Sequence, residues 1–374
     1  MKSVVLIRSN PVLPDPPVEK MADTLLEMGY AVTIVAWDRN SDTDTQTVRS
    51  EHCHVVRFGA AASYGAGAKS FGALVRFQWK LWNWLRKNRG NYDIVHAFDL
   101  DTGFVACAAS GLWRKKFIYH ILDFYADSHC NRSWSRKLVA WVERAVLDRA
   151  DSVIICTEKR REQLGACKQT QIAVIHNTPP ECGFETENMT LQGDGQRSRI
   201  AYVGTLQGGR GIEQMLAAIA ADPRFELHIG GFGPLAELVA HTAGEKQSGV
   251  FWYGRLPYDK TLSLERQCDI MLALYDPTIP NHRYAAPNKL YEAMMLGKPV
   301  LTCSGIGWDK EIEGHKTGVL IHFGADGIKD GLDELYRRRD QWETMGENGR
   351  ARYAEQYSWQ MMKQRIRGIY SRLW

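Results

Sequence analysis

The chain has 374 residues, 44% hydrophobic and 24% charged, with a formal net charge of +4. That length suits two domains of ordinary size, each with its own core, and the composition is that of a globular protein and not of a disordered or fibrous one. Eight cysteines are scattered without a C-x-x-C pair, several inside apolar runs, which argues against a disulfide framework and against a zinc site.

No apolar run approaches the roughly 18 residues needed to span a bilayer, and no leader precedes the first strand, so a reducing cytoplasm is the expected compartment. Charge is unevenly divided. Residues 1–180 carry 24 Lys and Arg against 18 Asp and Glu, and residues 181–374 carry 23 against 25. A basic first half points to an acidic partner such as phosphate groups, anionic lipid or nucleic acid.

Short β-rich runs alternate with helical patterns, the signature of parallel sheets built from βαβ units. In the first half, strands are predicted at Ser3–Arg8, Ala31–Trp37, Cys53–Phe58, Ile94–Ala97, Lys116–Ile121, Ser152–Cys156 and Ile172–Ile175. Helices are predicted at Val18–Met28, Ser70–Lys87, Thr102–Trp113, Ser135–Arg149 and Glu158–Gly165, the first ending at Gly29 as a left-handed cap. The loop from Arg8 to Pro17 holds four prolines and reads as a stiff wall. Asp99-Leu100-Asp101 has the form of a metal-binding Asp-x-Asp, but Asp101-Thr102 makes a good helix start, and metal is not expected there.

Two helical stretches are dense in aromatic and basic residues: 75–87, with Trp79, Lys80 and Trp82, and 132–141, with Trp134 and Lys137. Such helices suit an anionic lipid surface, and a buried aromatic helix packed on a sheet is the other reading. RNA binding uses the same ingredients, but no RNA-binding module is recognisable, so nucleic acid is not expected.

A polar stretch with Pro and Gly, residues 177–198, reads as a linker between a domain at 1–176 and a second at 199–356. Strands follow at Arg199–Gly204, Phe225–Gly230, Val250–Gly254, Ile270–Tyr275, Pro299–Cys303 and Gly318–Ile321, and residues 328–374 read as helices, the last beginning at Tyr357-Ser358-Trp359. Two successive Rossmann-like halves place ligands beyond the carboxyl ends of their strands.

The second half carries the chemistry. The run Gly204-Thr205-Leu206-Gln207-Gly208-Gly209-Arg210-Gly211 is a glycine-rich turn that lets backbone N–H groups approach an anion, with Arg210 at the mouth of the next helix. In Pro287-Asn288-Lys289-Leu290-Tyr291-Glu292, Pro287 ends a loop and Asn288 is expected to cap a helix. The first turn, Asn288 to Leu290, then forms an anion site with Lys289, and Glu292 falls one turn deeper on a similar face. A cation near phosphates and a carboxylate near hydroxyls suit a sugar nucleotide, and a surface helix with a Lys–Glu pair is the other reading. The loop from Asp276 to Pro287, with His282, Arg283 and Tyr284, would line the pocket, or its charges are simply solvated.

These motifs resemble those of retaining glycosyltransferases with two Rossmann-like domains (the GT-B fold), broadly glycosyltransferase family four, and the resemblance covers most of the chain. It implies two domains facing across a cleft, with a helix at 357–374 crossing back onto the N-terminal domain. It implies that Glu292 meets the donor ribose and that Arg210 stands where a lysine usually holds the donor diphosphate. Two positions depart from the pattern: Thr205 replaces the usual loop arginine, and Tyr284 replaces the first glutamate, which contacts the donor sugar. Gly233, in Gly230-Gly231-Phe232-Gly233-Pro234, matches a turn facing the nucleotide or is a tight turn only, and Arg255 matches a neighbour of the base or phosphate. Asp123 matches an acceptor-side aspartate, with a helix cap as its alternative role, and Leu122 replaces the frequent histidine before it.

The resemblance therefore implies a peripheral membrane enzyme on the cytoplasmic face that moves a sugar, with retention, from a nucleoside diphosphate to a lipid-linked or glycan acceptor in cell-envelope glycan synthesis. No cofactor or metal is required if Arg210, Lys289 and the helix N-terminus neutralise the diphosphate. The rivals are a sugar-nucleotide epimerase or hydrolase of the same fold, and a non-catalytic membrane scaffold.

Overall fold

The computed structural model describes residues 1–62, 71–129, 132–165, 167–169, 171–179, 181, 189–193 and 195–374. Ser70, Cys130, Cys182 and part of the linker at 177–198 lie outside the described residues. The chain forms two compact units, Met1–His176 with Lys363–Trp374, and Asn177–Met362.

The first unit contains strands β1 (Ser3–Arg8), β2 (Ala31–Asp38), β3 (Thr45–Ser50), β4 (Cys53–Gly59), β5 (Ile94–Phe98), β6 (Lys116–Ile121), β7 (Ser152–Ile155) and β8 (Ile172–Val174). Its helices are α1 (Pro16–Glu27), α2 (Phe71–Lys87), α3 (Leu100–Trp113), α4 (Tyr125–His129), α5 (Ser133–Leu147) and α6 (Arg160–Leu164). One sheet runs β3-β4-β2-β1-β5-β6-β7-β8, parallel except for the antiparallel edge strand β3. Strands β1 and β7 are nearly continuous runs of Val, Ile and Leu because helices cover both faces. On one face Phe77, Leu81 and Leu85 of α2 join Ala106 and Ala109 of α3 and Leu147 of α5 over Val5, Ile7 and Tyr119.

The second unit contains β9 (Ser198–Thr205), α7 (Ile212–Ala220), β10 (Phe225–Phe232), α8 (Ala236–Gly244), β11 (Val250–Trp252), α9 (Tyr258–Gln267) and β12 (Ile270–Ala273). There follow α10 (Asn288–Leu296), β13 (Val300–Cys303), β14 (Gly318–Ile321), α11 (Ala325–Arg337) and α12 (Trp342–Arg352). Its six strands are ordered β11-β10-β9-β12-β13-β14, and every pairing is parallel.

The last helix, α13 (Trp359–Ser371), returns the chain to the first unit. Tyr370 Oη bonds His96 Nδ1 at 2.7 Å, Lys363 pairs with Glu27 at 2.6 Å and Arg365 donates to the Val174 carbonyl at 3.1 Å. Burial of Ile366, Ile369 and Tyr370 holds the helix more strongly than the exposed Lys363–Glu27 pair does, since each fully buried side chain contributes about 1.5–3 kcal/mol.

In each unit strand order reverses beside the first strand, between β1 and β5 and between β9 and β12. Connections leave in opposite directions there, and the carboxyl ends of the two strands open a crevice.

Candidate active site

In the second unit the crevice is built from cations resting on aromatic rings. Tyr202 near the end of β9 and Tyr275 just after β12 are both buried. The Arg210 guanidinium lies over the Tyr275 ring at 3.9 Å, and Lys289 Nζ stands over the Tyr202 ring at 4.6 Å. Each ring face supplies negative potential without the fixed geometry of a carboxylate. Arg210 Nε and Nη1 are buried and have no hydrogen-bond partner among the described residues. Gly204, with φ +156°, leaves room for the ammonium, because a Cβ there would collide with Lys289 Nζ.

Burial lowers the Lys289 ammonium to about 8; Glu292 opposes that shift, Arg210 adds to it and Glu265 opposes it. His282, 7% exposed, donates from Nδ1 to the Asp276 carbonyl at 3.0 Å and sits edge-on to Tyr275 at 5.3 Å. Burial, then Arg210, lowers its pKa, so the ring is a neutral group beside the cations.

The helix entry differs from expectation. Pro287 is the N-cap and no side chain caps α10. Asn288 is the first helical residue and its Oδ1 accepts from Asn177 Nδ2 at 3.4 Å. Extended ψ before the helix comes from Pro287 itself, leaving Asn288 past the capping position. The Leu290 amide is already bonded to the Pro287 carbonyl at 3.0 Å and its side chain is in the core. Only the Asn288 and Lys289 amides remain to face an anion.

Glu292 is 5% exposed, one turn from Lys289. A carboxyl group that the sequence did not reveal lies below it: Glu265 of α9 is fully buried, and neither oxygen has a hydrogen-bond partner among the described residues. Burial, then Glu292, pushes its pKa well above the usual carboxylate range, with Lys289 opposing. Burial thus favours the neutral, protonated form of Glu265. Nothing in Thr261-Leu262-Ser263-Leu264-Glu265 marks it, since its burial depends on the packing of α9 against α10.

Gly208 is exposed, and the Cα of Gly209, φ +74°, faces Ile279 and His282. Gly233 lies against the Leu206 carbonyl, in the same turn as Phe232, which is 51% exposed and has the Arg255 guanidinium 4.8 Å above its ring. Tyr284 closes a short 3-10 helix, Pro280–Tyr284.

In the first unit polar residues gather at the β1–β5 crevice. Arg8 ends β1 and binds Asp15 Oδ2 through Nε at 2.9 Å and Asp99 Oδ2 through Nη1. Burial disfavours its charge, but Asp99 and Asp15 outweigh burial and raise its pKa. Asp123 follows β6 with its side chain 55% exposed and pairs at 3.3 Å with Arg160, which is 1% exposed. The helix that follows Asp123, Tyr125–His129, is a single short turn. Asp99 therefore serves an arginine, and no group of three His, Cys, Asp or Glu suited to a metal occurs among the described residues.

The aromatic helices are amphipathic. α2 exposes Phe71, Val75 and Trp79 at four-residue spacing, α5 exposes Trp134, Leu138 and Trp141, and α3 exposes Phe104 and Leu112. Two expected contact residues do not belong to this surface. Trp82 packs on Trp113, ring centroids 5.1 Å apart, because it lies on the side of α2 turned toward α3. Lys80 is spent on Asp44 at 2.6 Å and the Gly59 carbonyl at 2.8 Å. Lys137 is exposed. No helix among the described residues is long and apolar enough to cross a membrane.

Residues 16–178 match the Glycosyl transferase 4-like domain and residues 185–352 match Glycosyl transferases group 1. Among curated proteins the chain is similar to an alpha-maltose-1-phosphate synthase of Mycolicibacterium smegmatis, 23% identical over 75% of this chain and 79% of that protein. Among solved structures it resembles a sucrose-phosphate synthase from Thermosynechococcus elongatus, with TM-score 0.79 and 18% identity over 100% of this chain and 99% of that one. It also resembles HepE of Anabaena in complex with UDP-glucose, with TM-score 0.71 and 17% identity over 99% of each chain. The chain is a glycosyltransferase of the group 1 family with the GT-B fold.

Proposed function

We propose that the chain transfers a sugar, with retention of anomeric configuration, from a nucleoside diphosphate to a lipid-linked or polysaccharide acceptor in cell-envelope glycan synthesis. One observation carries the donor half of this reading: Arg210 and Lys289 converge on the β9–β12 crevice, over Tyr275 and Tyr202 and beside the free amides of α10. Two cations and a helix N-terminus suit a diphosphate leaving group, whose charge grows as the glycosidic bond breaks. Glu292, one turn deeper, suits the ribose hydroxyls. Uridine is the first base to test, because HepE is a UDP-glucose complex.

Acceptor and compartment rest on the first unit. Asp123 offers an exposed carboxylate to a hydroxyl. α2 packs on α3 and α3 on α5, so their exposed apolar side chains lie on neighbouring helices and suit the interface of a bilayer. Exposed Lys137, Arg86 and Lys87 add the positive charge that anionic headgroups attract. Membrane docking here is peripheral, on the cytoplasmic leaflet, and the diphosphate is neutralised by protein cations without a metal.

Nucleotide release from UDP-, GDP-, ADP- and TDP-sugars, with and without a lipid extract of the source cells, tests this. Release from one donor that requires the extract is the expected result. Release indifferent to the extract identifies a hydrolase, and nucleotide binding without release identifies a scaffold.

A further inference from the structure

Asp99 follows β5 with φ 60° and ψ 170°, a region that glycine enters freely and other residues occupy only under strain. Its carboxylate is fully used. Oδ1 accepts from the amides of Leu122 at 2.8 Å and Asp123 at 3.1 Å, and Oδ2 binds Arg8. Arg8 ends β1 and reaches on to Asp15 before α1. One side chain on a strained backbone thus joins the carboxyl ends of three neighbouring strands, β1, β5 and β6, where the strand order reverses. The α3 helix does not need it, for Asp99 makes no side-chain cap. Thr102 secures that turn through bonds from Oγ1 to the carbonyls of Phe98 at 2.5 Å and Asp99 at 3.3 Å.

The Asp123 backbone is therefore held by Asp99 and its side chain by Arg160 Nη2. We propose that Asp99 is a positioning residue of the acceptor site: its strained backbone and its carboxylate fix Arg8 and the Leu122–Asp123 segment, so that the exposed Asp123 carboxylate meets the acceptor hydroxyl. This rests on the acceptor-side reading of Asp123 given above. A side chain whose conformation is held by surrounding bonds keeps a reacting group within the narrow geometry that transfer requires.

The test uses the full chain with Asp99→Ala, Asp99→Asn and Asp99→Gly. Three quantities are read: hydrogen exchange of the Leu122 and Asp123 amides, extract-dependent nucleotide release, and UDP affinity by calorimetry. Asp99→Ala is expected to speed exchange and slow release, each at least tenfold, with UDP affinity within twofold of the parent. Asp99→Gly, freed of strain but without the carboxylate, behaves like the alanine variant. Asp99→Asn keeps an oxygen for the two amides and loses the charge for Arg8, so exchange stays slow and release falls only in part; it decides the matter if the alanine variant fails to fold. Unchanged exchange in the glycine and alanine variants, or a parental release rate in the glycine or asparagine variant, overturns the proposal. If the parent releases nucleotide from no donor, the transferase reading falls while the exchange measurement still decides the role of Asp99 in fixing the segment.

Discussion

Lys289 holds its ammonium 4.6 Å above the Tyr202 ring and forms no ion pair among the described residues. Its charge at neutral pH is thus maintained against burial by an aromatic face and by the carboxylate of Glu292. An anionic ligand would complete what these groups begin.

The ammonium, lowered to about 8, loses its proton as pH rises through that value, and a diphosphate binds the protonated form. UDP affinity is therefore expected to be level between pH 7 and 7.5 and to fall above pH 8, approaching tenfold per unit for one linked proton. Phosphate ionisation, with a second pKa near 6, does not interfere. Lys289→Arg should flatten the profile, because guanidinium stays charged. Calorimetry from pH 7 to 9.5 checks this, and a constant affinity in the parent would remove Lys289 from the donor site.

Glu292→Ala and Lys289→Ala are each expected to weaken nucleotide-sugar binding about tenfold or more, since a hydrogen bond to a charged partner contributes about 1.5–3 kcal/mol. Far-UV circular dichroism should be unaltered. Arg210→Ala should chiefly lower turnover, by about 10²–10³, the typical cost of losing one preorganised stabiliser of developing charge. Unchanged affinity in the first two variants would refute the donor-site assignment.

Glu265 gives a stability signature. Its pKa in the folded chain lies well above the unfolded value, so the unfolded state binds fewer protons wherever pH exceeds that unfolded value. The contribution of Glu265 is fully present below its unfolded pKa and is lost as pH rises toward the folded one, by at most about 1.4 kcal/mol per unit. Denaturant melts between pH 5 and 8 should show a shallower decline in Glu265→Gln than in the parent. Equal slopes would show that the group is ionised in the fold.

Replacing Phe71, Trp79, Trp134 and Trp141 together by Gln should reduce sedimentation with anionic vesicles. Each is at least 65% exposed, and stability should change by only about 0.5 kcal/mol per site. Trp82→Gln should do the reverse, lowering stability by about 1–3 kcal/mol through loss of the Trp113 contact with vesicle binding intact. Vesicle binding that survives the quadruple change would refute the docking surface.

The parallel strands were legible because each is a compact apolar run between turn residues, and β1, β6 and β14 agree with expectation at both ends. Edge strand β3 was not, because Thr45-Gln46-Thr47-Val48-Arg49-Ser50 is exposed along most of its length and is held only by pairing with β4. At the site, Arg210 and Lys289 could be read from loop and helix-entry chemistry. Tyr202, Tyr275 and Glu265 could not, since their roles arise from neighbours remote in sequence. Asn288 misled because capping depends on one residue of register, which Pro287 settles.

The return of α13 to the first unit has a consequence for synthesis. The face of that unit holding Tyr30 and His96 is covered by Tyr370, which leaves the ribosome only after the whole second unit. During translation the first unit must wait with that apolar strip open, so a fragment ending at His176 should bind a hydrophobic dye or a chaperone, and a peptide of residues 359–374 supplied in trans should abolish that binding.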